Sequence, residues 1–209
     1  MFEHLSDTQA ISLISALEKK RFKRGEHIVD VGHRLNLLFI ILAGKANVVV
    51  NANGKEIVLA TLSAGECIGE MSLLDSRPHS ATVIADTQVD TLVLSRDGFN
   101  SCILNNNHMA VAVMIGLVDR LRRANQKIAA LALTSVPSRV LGYLYAAAEK
   151  ASDGMLVISK KLSNTAISRQ VGASREMVSK ALKEYRAQNL LFTTSGGFLG
   201  LVERRKVPR

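Results

Sequence analysis

Between Gly25 and Ser95 glycine recurs at Gly25, Gly32, Gly44, Gly54, Gly65 and Gly69, and the runs between are short and β-branched or alternating. That spacing predicts strands over residues 37–42, 46–51, 56–62, 80–85 and 90–95. Asn53-Gly54 stands between two of them, a dipeptide that favours the positive φ angles of a tight hairpin. Many short strands separated by turn signals imply a closed or sandwiched antiparallel sheet such as a jelly roll. An amphipathic helix over residues 7–20 is expected to precede it.

A helix is predicted next, over residues 108–133. Ala110, Met114, Leu117, Leu121, Ala124, Ile128 and Leu131 recur at alternating spacings of 4 and 3, an a/d seam kept for three heptads. Such a seam lets two helices pack knobs-into-holes. A helix lying on its own sheet also needs an apolar stripe. The unbroken register and the small Ala residues favour a homodimer seam with Met114, Leu117, Leu121, Ala124, Ile128 and Leu131 in the interface. Thr134-Ser135-Val136-Pro137 then breaks the pattern and restarts a helix, a hydroxyl cap followed by proline. The expected organisation is therefore a β-rich unit (1–107), a dimerisation helix (108–133) and a C-terminal unit (134–209).

Within the last unit a helix is expected over 137–150, then a turn at Ser152-Asp153-Gly154 and a strand over 155–158. Residues 162–191 read as two helices joined at a glycine. Ser163 caps a short first helix, Gly172 supplies the turn, and Ser174 caps the second. Val178, Ala181, Leu182 and Tyr185 of the second helix turn inward, which leaves Arg175, Glu176, Ser179, Lys180 and Lys183 toward solvent. Arg and Lys can donate to guanine O6 and N7, and Glu can accept from cytosine N4. This face is equipped to read bases. Runs at 190–194 and 198–202 around Ser195-Gly196-Gly197 form a hairpin suited to the wing of a winged helix, and Arg204-Arg205-Lys206 read as a frayed basic end.

Charge agrees with that placement. Residues 134–209 hold 13 Lys+Arg against 5 Asp+Glu, whereas the first 133 hold 14 against 13. A locally basic module is the footprint of a binder of phosphate backbones. No apolar run reaches the roughly 20 residues of a membrane span, and the N-terminus lacks a basic-then-apolar leader. The expected location is the cytoplasm, without membrane association. Cys67 and Cys102 are too few for an iron–sulfur cluster, the five histidines have no zinc spacing, and His79 beside Pro78 reads as structural rather than as a haem ligand. No Walker loop, Gly-x-Ser-x-Gly or HExxH occurs, so neither an enzyme nor any catalytic residue is expected.

Three segments carry a family resemblance: GASREMVSKALKEYRAQNLL (172–191), ILAGKANVV (41–49) and GECIGEMSLLDSRPHSATV (65–83). They resemble, in the right order, the cyclic-AMP receptor protein / fumarate-nitrate regulator superfamily. The resemblance implies an α+β chain: a cyclic-nucleotide-binding β-roll, a long dimerisation helix and a winged helix-turn-helix. It further implies a homodimer on an inverted-repeat operator in double-stranded DNA, with RNA polymerase as a further partner. Arg175, Glu176 and Lys180 then stand at base-contacting positions, Ser163 and Ser174 at phosphate-contacting ones. A ligand would re-aim the readers from near Ala124 through a hinge at residues 134–137.

Members that bind cyclic AMP carry Gly-Glu, then Arg followed by Ser or Thr. Here Gly69-Glu70 and Ser80 match, the arginine position holds His79, and Ala124-Asn125 replace the hydroxyls that meet the adenine. Arg77 could reach across in place of the missing guanidinium. Three sensor readings stand: a cyclic mononucleotide (cyclic AMP or cyclic GMP) bound weakly or with altered specificity, another anion such as cyclic di-guanylate met by Arg120, Arg122 and Arg123, or a vestigial pocket in an effector-independent regulator. A cyclic-nucleotide module acting on a protein partner is the remaining alternative, and the basic reader argues against it.

Overall fold

The computed structural model describes residues 18–52, 54–105, 107–151, 155–194 and 197–202. The expected helix at residues 7–17, Asn53, the turn at 152–154, Ser195-Gly196 of the wing and the basic end at 204–206 lie outside them. The chain divides into two compact units, one up to Gln126 and one from Lys127. The division falls inside the long helix rather than at either end of it.

The first unit contains β1 (Glu18–Phe22), β2 (His27–Val29), β3 (Leu37–Ala43), β4 (Ala46–Ala52), β5 (Lys55–Leu62), β6 (Cys67–Ile68), α1 (Glu70–Asp75), β7 (Thr82–Ala85), β8 (Val89–Ser95) and α2 (Arg96–Asn105). Its strands form two antiparallel four-stranded sheets, ordered β1-β8-β3-β6 and β2-β7-β4-β5. Phe22, Phe39 and Ile41 from one and Val29, Ala46 and Val83 from the other share one core. Side chains alternate along a strand, and β3 uses both faces. Phe39 and Ile41 enter the core between the sheets, while Leu38 and Ile40 pack with Leu73, Phe99 and Val113 of the helical cover. That double burial is why LLFII is apolar at every position.

Glu18, Lys19 and Lys20 extend as β1 and pair with β8, Glu18 opposite Val93, instead of closing a helix. An edge strand exposed along most of its length can be polar, so this stretch lacked the alternation by which strands are recognised.

The long helix, α3 (Asn107–Leu133), presents two apolar faces. Val113 is buried and Leu117 packs beside it on the β-roll, whereas Val111, Met114, Ile115, Val118, Leu121 and Ile128 are exposed. Leu117, expected in the seam, packs in part on the protomer's own core. Residues 113 and 117 share one face, and an exposed apolar stripe lies one position round.

The second unit adds α4 (Val136–Ala147), β9 (Glu149–Lys150), β10 (Leu156–Ile158), α5 (Asn164–Val171), α6 (Arg175–Ala187), β11 (Leu191–Thr193) and β12 (Leu199–Leu201). Ser135 caps α4 by accepting from the Ser138 N–H, with Pro137 in the first turn. Glu149 and Lys150 leave the helix and pair with β10, so α4 ends earlier than its composition predicts. The four strands order β11-β12-β10-β9 and back a core of Val140, Leu144, Ile167, Val178, Leu182 and Tyr185. Among the described residues no helix is long and apolar enough to cross a membrane.

Candidate functional site

In the second unit, α5 and α6 form a helix-turn-helix fixed by caps at each joint. Ser163 Oγ accepts from the Ala166 N–H at 3.1 Å, and Ser174 Oγ from the Met177 N–H at 3.3 Å. Gly172 ends α5 at φ 63°, where a Cβ would also meet Leu131 Cδ2 at 3.0 Å. Two cations hold the carbonyl end of α5: Arg139 Nε donates to Val171 O at 3.0 Å and Lys127 Nζ to Gln170 O at 3.4 Å. Cations are favourable at that end of a helix. Burial lowers the Lys127 pKa.

With the turn held, Val178, Ala181, Leu182 and Tyr185 are buried. Arg175, Glu176, Ser179, Lys180 and Lys183 line one shallow, open groove with Asn164. The expected reader residues therefore share a face, bounded by the Ser174 cap. Gly172→Ala is expected to cost the second unit about 1–2 kcal/mol, since left-handed backbone disfavours a Cβ. Scanning calorimetry checks it, and an unchanged transition would contradict the strained turn.

In the first unit, a cleft of about 1000 Å³ opens between the segment Ser63–Glu70 and α3. Arg120 pairs with Glu70 Oε1 through Nη1 and donates through Nη2 to Cys67 O at 2.9 Å. Arg123 donates to Glu66 Oε1 at 2.6 Å. Burial would raise the Glu66 carboxyl, yet the Arg123 guanidinium and Ser63 outweigh it and the pKa falls below its usual value. Glu70 goes the other way: burial raises it despite Arg120. Burial also pushes the Cys67 thiol up to about 12, so it is no ready thiolate.

The residues expected around Glu70 are placed unequally. Gly69 has φ 95°, and a Cβ there would come 2.6 Å from Leu37 O, so only glycine fits this passage. His79 is 7% exposed and its Cε1 lies 3.7 Å from that same Cβ position. Arg77 does not reach across: its side chain is 82% exposed and 3.9 Å from Asp75. Pro78 and the hydrogen bond from Ser72 Oγ to Arg77 O, 2.5 Å, fix the backbone so that the guanidinium points outward. Ser80, Ala124 and Asn125 are exposed and none lines the cleft.

Two supports went unread in the sequence. Arg96 donates to Ser72 O and Leu73 O at 3.2 and 3.1 Å, holding the carbonyls of α1. The second is Arg120: it follows Val113 and Leu117 on the inward stripe, and a guanidinium on such a stripe needs an acid. Among the described residues no cluster of three His, Cys, Asp or Glu could hold a metal.

Residues 19–106 match the family described as "Cyclic nucleotide-binding domain". Over 189 residues the chain is 30% identical to a "CRP-like cAMP-activated global transcriptional regulator" of Mycobacterium tuberculosis, covering 88% of this chain and 84% of that protein. It is 29% identical over 171 residues to the "cAMP-activated global transcriptional regulator CRP" of Escherichia coli, covering 78% and 80%. Among solved structures, the c-di-GMP-responsive global regulator CLP of Xanthomonas campestris superposes with TM-score 0.80 at 22% identity, over 94% of this chain and 100% of that one. At such identity the likeness speaks to the fold.

Proposed function

Because the chain belongs to the cyclic-AMP receptor protein / fumarate-nitrate regulator family of transcription regulators, we propose that it works as a homodimer that reads an inverted-repeat operator in duplex DNA under the control of a cyclic nucleotide. It is a regulator and not an enzyme. The observation that carries the DNA reading is the capped, glycine-turned helix pair with Arg175, Glu176, Ser179 and Lys180 on one open face. Arg175, Glu176 and Lys180 contact base edges, and Ser163 and Ser174 sit where helix N-termini meet phosphate. The exposed stripe Met114, Val118, Leu121 and Ile128 is the surface two copies bury together. Ala124 and Leu131 lie along the same helix, and RNA polymerase is the partner of the DNA-bound dimer.

The effector reading rests on orphaned polar atoms. Glu70 Oε2 and His79 Nε2 are buried and have no hydrogen-bond partner among the described residues. A carboxylate oxygen of this kind suits a ligand hydroxyl, and an imidazole nitrogen suits a phosphate, so the residues present fit a cyclic nucleotide. Without a guanidinium the phosphate contact is weaker than in relatives that have one, by roughly ten- to a hundredfold. To control transcription, the ligand must bind the DNA-competent arrangement better than the alternative.

Selection from a random duplex library, followed by fluorescence anisotropy with and without cyclic AMP, cyclic GMP or cyclic di-guanylate, tests both parts. A palindromic site with half-sites roughly 34 Å apart is expected, bound more tightly with one of the three. A monomer without sequence preference would overturn the DNA reading. Equal DNA affinity under every condition would overturn effector control alone.

A further inference from the structure

We propose that His79 holds its effector as the imidazolium, so that capture of a cyclic phosphodiester by the first unit takes up one proton. This rests on the reading that the unit takes a cyclic nucleotide.

The geometry is specific. The His79 N–H donates to His33 O at 2.9 Å and the His79 carbonyl accepts from the Gly32 N–H at 2.9 Å, which pins the main chain on both sides. The ring is thereby held against Gly69, the residue before Glu70, and Nε2 has no partner among the described residues. Glu70 Oε2, on the residue that follows Gly69, is a second orphan among the described residues, and both residues are more than nine-tenths buried. A buried polar atom without a partner is costly. An anion beside Nε2 and a hydroxyl on Oε2 would relieve both; a neutral Nε2–H tautomer could donate the same bond, but the imidazolium adds its charge to it.

In the free protein the proton is disfavoured. Burial lowers the His79 pKa, and His33 on the β2–β3 connection lowers it further. Three acids of the neighbouring segments are paired: Glu70 of α1 with Arg120 of α3, Asp30 with His27 at 2.5 Å, and Asp75 with Arg77 at the surface. A phosphodiester brings a permanent negative charge, which favours the imidazolium and raises the pKa of the bound state. The sign follows. Affinity is lowest above the bound-state pKa and rises as pH falls toward the free-state value, by at most about tenfold per pH unit for one proton. An arginine at this position stays charged throughout and would show no such slope.

Calorimetric titration of the full chain with cyclic AMP, cyclic GMP and cyclic di-guanylate, at about pH 5.5, 6.5 and 7.5 in two buffers of different ionisation heat, tests this. Kd is expected to fall roughly tenfold between about pH 7.5 and 5.5, with a buffer-dependent heat equivalent to up to about one proton taken up. His79→Arg should bind more tightly with a flat profile. His79→Gln should bind weakly, also with a flat profile, and His33→Gln should keep the slope. Binding by the wild type with a flat Kd and no buffer dependence overturns the proposal and leaves the cyclic-nucleotide reading standing. No binding at any pH to any of the three overturns both.

Discussion

Arg175→Ala is expected to lower affinity for the selected operator by about 1–3 kcal/mol, roughly five- to 150-fold, while changing affinity for scrambled duplex little. Arg175 is exposed in the first turn of α6, directly after the Ser174 cap. The N-terminal end of a recognition helix is the part that reaches base edges, and a guanidinium there can donate twice to one guanine. The loss should therefore concentrate at one base pair per half-site. Lys183 shares the groove two turns further on. Lys183→Ala should weaken all duplexes alike and reduce the slope of log affinity against log salt by about one, the signature of a phosphate contact. Anisotropy on operator and scrambled duplex over a salt series separates the two patterns. Uniform weakening by Arg175→Ala would remove it from base reading.

Arg120→Met should destabilise the first unit by about 3–5 kcal/mol near pH 8, because Glu70, 4% exposed, loses the cation that pairs with it. The loss should shrink on acidification. Burial already raises the Glu70 carboxyl with Arg120 in place, and without Arg120 the rise is larger. A carboxyl whose folded pKa is raised favours the native state below its ordinary value, and that advantage disappears as pH rises through the folded pKa. Glu66 has the opposite sign. Its lowered carboxyl supports the fold above the ordinary value and ceases to as pH falls through the folded pKa. Adding Glu70→Gln to Arg120→Met should recover much of the loss, since no lone charge then remains buried. Denaturant melts at about pH 5 and 8 decide it. A pH-independent loss would mean that Arg120 acts by packing alone.

Elements with a period long enough to show themselves were legible from residues alone. The expected strands at 37–42, 46–51 and 90–95 overlap β3, β4 and β8, and the caps at Ser163 and Ser174 with Gly172 between them locate α5 and α6. Shorter pieces were not legible. β2 has three residues and β6 two, too few to express alternation, and α1 has six, less than two helical turns. α2 follows β8 without a loop, and the junction is marked only by the Ser95 hydroxyl, which accepts from the Gly98 N–H at 3.2 Å. At the site, the motif around them singles out Glu70 and His79 in the sequence. The Glu70–Arg120 pair spans fifty positions, a separation that no local pattern encodes.

β3 has a consequence for how the first unit comes apart. Its alternate side chains anchor two different cores, so the sandwich and its helical cover have no seam along which one could melt while the other persists. Amide protons across β3, β8, α2 and the Val113 turn of α3 would accordingly exchange as a single cooperative block, at the rate of global opening.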